Sequence, residues 1–390
     1  LWLMPIQPIG EAKRKGVLGS YYSIKDYKAI NPEYGNEADF AHLVESAHAL
    51  DMKVILDWVP NHSAWDHPWM TEHPDFYYVD PETGEISNGR NDHNEATDWT
   101  DVAELDYSNI EMQEAMRQDM LYWLEQFHID GFRCDMAGGQ TEAFWLETIQ
   151  VLRDHSPELF MLAESNFPEM HDFGFDATYG WEFHHLINEV ARGDKGTDEL
   201  HHYILRDADK FPKDSYRLLF IDNHDENSWN GTVASRLGDN AHAAYVLCAT
   251  LPNAIPLIYS GQEVGLNHSL RFFERDTIDW SLDSQADFYG LMNQLNSTLP
   301  ALANGASGGT YQAITSNQDR VFAFARKMQD RDVVMVVNFS DKDQDITIQG
   351  APSGNYHDAF TGEGMRLSAD ESRFFLPAHG YALLVNDGSH

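Results

Sequence analysis

Cysteine is nearly absent from this 390-residue chain, and the two that occur, Cys134 and Cys248, cannot build a disulfide framework. Both lie in apolar surroundings, Cys248 within the helix-patterned run 241–250, and read as buried free thiols. Positive charge is scarce as well: 26 lysines and arginines face 63 aspartates and glutamates, a formal net charge of −37. So acidic a chain is repelled by nucleic acid and by anionic membrane surfaces, whereas a neutral ligand is unaffected. The acidity suits a saline habitat, and equally an ordinary acidic surface. No apolar stretch is long enough to cross a bilayer, and there is no internal repeat or low-complexity linker. What remains is a globular composition, 42% hydrophobic and 12% aromatic, able to bury a large core and to stack against sugar rings.

The most informative stretch is Asp130-Gly131-Phe132-Arg133-Cys134-Asp135. Period-2 alternation on a strand sends Arg133 and Asp135 to one face and Phe132 and Cys134 to the other. A carboxylate beside a guanidinium stays ionised, as a nucleophile must. Alone, such a pair is the mark of a structural ion pair. Three companion segments change the reading. Lys53 to Leu56 ends in Asp57-Trp58-Val59-Pro60-Asn61-His62, Leu159 to Ala163 ends in Glu164-Ser165-Asn166, and Leu218 to Ile221 ends in Asp222-Asn223-His224-Asp225. Each is a short apolar strand with a polar C-terminal end, alternating with helix-patterned segments such as Phe40, Leu43, Val44, Ala47 and Leu50, or Met116, Met120, Trp123, Leu124 and Phe127. That is the grammar of an α/β barrel with its site at the C-terminal rim.

The four segments resemble, in order and spacing, the conserved regions of the α-amylase family of retaining α-glucosidases and α-glucanotransferases. The resemblance implies Asp135 as nucleophile, Glu164 as general acid/base and Asp225 as the carboxylate that stabilises the transition state. It implies that Arg133, His62 and His224 hold the nucleophile and the glucose unit, and that Tyr22 carries that glucose on its ring. Chemistry agrees: Arg133 favours the charged form of Asp135, while negative neighbours favour a neutral Glu164. The implied function is hydrolysis of α-1,4-glucosidic bonds in starch or maltooligosaccharides through a covalent glucosyl-enzyme intermediate. On the same fold, a transglycosylase or glucan isomerase would use identical carboxylates, with a sugar replacing water. The partner expected is an α-glucan, with neither nucleic acid nor membrane insertion.

The expected fold is a (β/α)8 TIM barrel lacking its first strand and helix, since Leu1-Trp2-Leu3-Met4-Pro5 resembles the family's second strand. Barrel residues are 1–61 and 109–301, domain B occupies 62–108 after strand three, and a C-terminal antiparallel β-sandwich covers 302–390. A preceding segment carrying a signal peptide would make the location secreted or periplasmic. Ile255 to Tyr259 reads as the eighth strand, and Val321 to Arg326, Val333 to Phe339, Asp345 to Ile348 and Arg373 to Leu376 as strands of the sandwich. Asn61 matches a calcium-binding asparagine of the family, with Asp98, Asp101 and Asp106 nearby in sequence, so the resemblance points to Ca2+; the pairs His184-His185 and His201-His202 point apart on a helix and do not converge on zinc, and no organic cofactor is expected. Trp65, Trp69, Tyr77, Tyr78 and Trp99 divide between sugar platforms and local core. Gly139 stands where many amylases carry a histidine, and Val102 to Asp106 departs from the motifs that mark α-1,6 cleavage.

Overall fold

In the computed structural model, which describes residues 1–281, 285–386 and 388, the chain divides into two units. One is Leu1–Tyr179 with Arg271–Asp276, the other Gly180–Leu270 with Thr277–His390.

The first unit is built on five parallel strands in the order Trp2–Leu3, Ile55–Trp58, Gly131–Cys134, Phe160–Ala163 and Ala177–Tyr179. Every residue of Ile55–Trp58 and Gly131–Cys134 is buried, Asp57 and Arg133 included, so these two charges must find partners inside the fold. Register sets the height at which the polar strand ends emerge. Asp57 pairs with Arg133, and Cys134 with Ala163, so Asp135 and Glu164 leave their strands at one level. The strand Ala177–Tyr179 escaped the sequence reading because it is three residues long and not uniformly apolar.

Helices cover these strands. Glu37–His48 starts at a capping box in which Asn36 accepts from Ala38 N and Asp39 N while Asp39 accepts from Asn36 N. It buries Phe40, Val44 and Ala47, but Leu43 and Leu50 are exposed, so the apolar stripe is narrower than the spacing predicted. Ile110–Phe127 buries Met112, Met116, Met120, Trp123, Leu124 and Phe127. Between the strand Ile55–Trp58 and this helix, an antiparallel pair, His62–Ala64 with Val102–Glu104, organises a loop-rich segment. Within it Tyr77 is buried, and the half-buried Trp69 packs against Tyr27 and Phe76; Trp65 and Trp99 are half-buried as well.

The second unit holds the parallel pair Tyr216–Leu219 and Ala254–Pro256, the latter shorter than the expected Ile255 to Tyr259. Its helix Ala241–Thr250 is buried nearly all round and carries Cys248; Cys248 and Cys134 are both free and buried, as expected. The C-terminal strands form an antiparallel order of eight, and Thr310–Ser316 pairs with Val321–Lys327 over one part and with Gln344–Gln349 over another. Val321, Ala323 and Ala325 face a core shared with Ile346, Ile348 and Leu384, while Phe322 and Phe324 face Leu251 and Ala301. Both faces are therefore covered. Among the described residues, no helix is long and apolar enough to cross a membrane.

Gly131 fixes the spacing of the strand that carries Arg133: a Cβ there would lie 2.0 Å from the carbonyl oxygen of Phe160 on the next strand. Gly131→Ala must push the two strands apart, and thermal denaturation should show Tm lowered by about 5 °C or more. An unchanged Tm would contradict this register.

Candidate active site

Alternation along Gly131–Cys134 places Phe132 in the apolar core, edge-on to Trp58 at 5.6 Å, and turns Arg133 the other way. Arg133 has no solvent exposure. The rings of Trp2, Tyr22 and Tyr179 surround its guanidinium at 5.3, 5.8 and 5.5 Å. Nε donates to Tyr179 Oη at 3.0 Å, and Nη1 donates to Asp57 Oδ1 at 2.8 Å and to Asp135 Oδ1 at 2.7 Å. Nη2 lies 3.0 Å from Glu164 Oε1, a charge contact whose angles do not make a hydrogen bond. One arginine thus serves three carboxyl groups, that of Asp57 fully buried and those of Asp135 and Glu164 10% and 14% exposed.

This corrects the simple expectation that Arg133 singles out Asp135, because it touches Glu164 as well. The acids are distinguished by their other partners. Asp135 and Glu164 stand beside each other on that guanidinium, and their proximity favours the charged form of Asp135 and the protonated form of Glu164. Burial pushes Glu164 up to about 7 against the pull of Arg133, with the neighbouring Asp135 raising it further and the Met136 N–H at 2.9 Å lowering it. Burial also raises Asp135 above the ordinary carboxylate range, again opposed first by Arg133. With three carboxyls on one guanidinium, full ionisation would leave two uncompensated charges without water, so the cluster retains protons.

Asp57 is the member of the cluster that sequence reasoning missed. It is fully buried, accepts from Tyr22 Oη at 3.0 Å and from Trp2 Nε1 at 3.1 Å, and burial raises its pKa first of all, with Arg133 lowering it. Its position at the polar end of an apolar run was the available signal. Tyr22 is 8% exposed, tied through its hydroxyl to Asp57 and stacked on Phe272 with 6.3 Å between centroids. His62 is buried and held neutral, burial lowering it to about 4, with its ring 5.9 Å from Trp99.

Asn61 precedes it. Its Nδ2 donates to Arg90 O at 2.9 Å and to Glu104 Oε2 at 3.0 Å, while its Oδ1 accepts from Gln140 Nε2 at 3.3 Å. A Cβ on Gly139 would come within 2.9 Å of that Oδ1. Asp101 pairs with Lys15 at 3.5 Å and Asp106 caps Ser108 N, so these acids are engaged elsewhere, and the oxygens drawn to Asn61 come instead from Arg90 and Glu104.

His224 and Asp225 belong to the second unit. They open the helix His224–Trp229, whose first turn is capped by Asn223 Oδ1 accepting from Asp225 N at 3.1 Å and Glu226 N at 2.8 Å. His224 Nε2 stands 3.3 Å from Asp225 Oδ2, with His224 buried and the Asp225 carboxylate one-third exposed. Beside them Asp222 is buried against Arg236 Nη2 at 2.5 Å, and burial pushes it to about 7 with Arg236 as the chief opposing charge.

Residues 1–286 match the family model described as alpha amylase, catalytic domain, and residues 311–383 the maltogenic amylase C-terminal domain. The chain belongs to the α-amylase family. It is 29% identical to alpha-amylase MalA of Haloarcula japonica over 91% of this chain and 51% of that one, and 26% identical to alpha-amylase 2 of Dictyoglomus thermophilum over 87% and 61%. It therefore spans between about half and two thirds of these relatives' length. Among solved structures, the maltogenic alpha-amylase AmyB of Thermotoga neapolitana is 27% identical, with a TM-score of 0.87 covering 100% of this chain and 90% of that one. The fold is accordingly the TIM barrel of the α-amylases, followed by an antiparallel C-terminal domain.

Raised carboxyl pKa values carry a sign for stability. Between the unfolded value, about 4.3 for a glutamate, and the value of about 7 in the fold, the folded chain binds more protons than the unfolded one. Glu164 therefore costs increasing stability as pH rises through that window. Glu164→Gln keeps the shape and the acceptor for Met136 N but removes the charge. Its Tm should exceed the parent's at pH 8 and match it at pH 5; a Tm below the parent's at pH 8 would contradict the assignment of a buried, reluctant acid.

Proposed function

We propose that this α-amylase relative is a retaining α-glucan hydrolase that cleaves α-1,4 bonds of starch or maltooligosaccharides. The observation that carries this reading is that Asp135 and Glu164 meet one guanidinium, Arg133 Nη1 at 2.7 Å and Nη2 at 3.0 Å, which holds the two acids side by side. Inverting pairs stand roughly 6.5–9.5 Å apart to admit a water, whereas a retaining pair is close enough for one member to attack the sugar itself.

Asp135, charge-balanced by Arg133, attacks the anomeric carbon while the bond to the leaving oxygen breaks and that oxygen takes the proton of Glu164. Glu164, now a carboxylate, then accepts a proton from water as the water oxygen displaces Asp135 and restores the α-configuration. Neutral His62 donates or accepts a hydrogen bond without adding charge, and Asp57 holds Arg133 and Tyr22 in place for this chemistry. Asp225, by its family position, supplies the third carboxylate. A sugar hydroxyl in place of water gives transglycosylation through the same two acids, a reading favoured by 26% identity to a cyclomaltodextrin glucanotransferase of Bacillus sp..

With maltotriose followed by proton NMR, the first product should be the α-anomer, and activity should fall on the alkaline side as Glu164 loses its proton near 7. Asp135→Asn should reduce kcat by on the order of 10⁴-fold or more. A β-anomeric product, or an active Asp135→Asn, would overturn the mechanism; products longer than maltotriose would assign transfer over hydrolysis.

Arg90 O and Glu104 Oε2, the oxygens drawn to Asn61, are those that would hold a calcium ion. Bound there it would tie the segment after His62 to the rest of the first unit. Chelator should lower Tm and added Ca2+ restore it, and an unchanged Tm would show that hydrogen bonds alone close this network.

A further inference from the structure

A cavity of about 570 Å³ opens on the first unit, and none of the acids of the Arg133 cluster lines it. Its walls come from the segment after the first strand and from Asp66 and Pro68. The volume falls within the range of small-ligand clefts, roughly 300–1,000 Å³.

The lining decides the ligand's chemistry. Four acids, Glu11, Asp26, Glu33 and Asp66, outnumber the two bases, Arg14 and Lys25, so an anion is disfavoured. The acids are also committed. Lys25 Nζ pairs with Glu11 at 2.7 Å and with Asp66 at 3.3 Å, Glu33 pairs with Arg275 at 2.5 Å, and Asp26 Oδ1 accepts from Lys28 N at 2.9 Å. That leaves no cluster of spare carboxylates to hold a cation. What the cleft offers is fixed donors and acceptors together with the apolar Leu18 and Pro32 and the ring of Tyr34, a residue left 58% exposed. Flat apolar surface beside paired polar groups suits a neutral, polyhydroxylated ring, whose C–H face stacks while its hydroxyls exchange hydrogen bonds.

We propose that this cleft is a second α-glucan site, distinct from the cluster at Arg133, that holds a remote part of a long substrate with Tyr34 as its stacking platform. The inference rests on the α-glucan reading of the Arg133 cluster and adds to it a site that does no chemistry. Substrates long enough to reach both sites gain affinity by effective concentration, and short ones do not.

The test uses the full chain and two substrates. Tyr34→Ala should raise KM for soluble starch by about tenfold, leave kcat and the maltotriose kcat/KM unchanged, and remove one of two maltoheptaose binding events when that sugar is titrated calorimetrically into the Asp135→Asn background. Tyr34→Phe, which keeps the ring, should behave as the parent, and because Tyr34 is exposed the variants should keep the parent's Tm. Parent-like starch kinetics and titration for Tyr34→Ala would overturn the second site while leaving the hydrolase reading intact. Loss of maltotriose turnover in Tyr34→Ala would place the residue in the reacting site and overturn the proposal too. A parent chain that neither binds maltoheptaose nor cleaves maltotriose would instead remove the α-glucan reading on which it rests.

Discussion

The first unit is arranged around a single guanidinium. Arg133 has no exposed surface, is ringed by Trp2, Tyr22 and Tyr179, and meets Asp57, Asp135 and Glu164. Removing a charge of this kind from water costs several kcal/mol per ion, and only well-placed partners offset it. Three carboxyls around one arginine exceed what neutrality needs, and the excess is the functional feature. It forces protons to remain in the cluster at pH values where exposed acids would have lost theirs.

The distribution of those protons follows from geometry. Asp135 takes a hydrogen bond from Arg133 at 2.7 Å, and Glu164 beside it favours its charged form, so its ionised form is the better satisfied. Glu164 faces the arginine without hydrogen-bond alignment and faces the negative Asp135, so its neutral form is favoured. Two acids of the same kind, a few ångströms apart, thereby acquire opposite roles. Asp57 completes the arrangement from the neighbouring strand, engaging Tyr22 and Trp2 with the oxygen that Arg133 does not use.

Much of this was legible in the sequence, and what was missed has physical causes. The alternation at Arg133 and the polar ends of apolar runs mark Asp135 and Glu164 without coordinates, whereas the roles of these two and of Asp225 come from the family resemblance. Which strands are neighbours, and in which register, is a three-dimensional fact. Asp57 meets Arg133 because Ile55–Trp58 and Gly131–Cys134 pair in parallel with those two residues opposed. Trp2 and Tyr179 reach the same arginine from other strands for the same reason. In the C-terminal sheet, Tyr381–Asn386 was missed although strongly apolar, because Leu383 packs one way and Ala382 and Leu384 the other, which erases the alternation by which a half-buried strand is recognised. Gly354–Asp358 and Gly364–Leu367 begin with glycine and mix polar with apolar residues, so no apolar run marks them. Cleft formation, as at Tyr34, depends on loops meeting and leaves no local pattern.

The central claim is that these three acids share one arginine and so cannot all be ionised together. Carboxyl-carbon NMR titration of the folded chain, with Asp and Glu labelled and the cluster signals assigned by Asp57→Asn, Asp135→Asn and Glu164→Gln, measures this directly. At least one of the three carboxyls should still be protonated at pH 6, with Glu164 releasing its proton last of the reacting pair. Three signals fully ionised by pH 5 would contradict it.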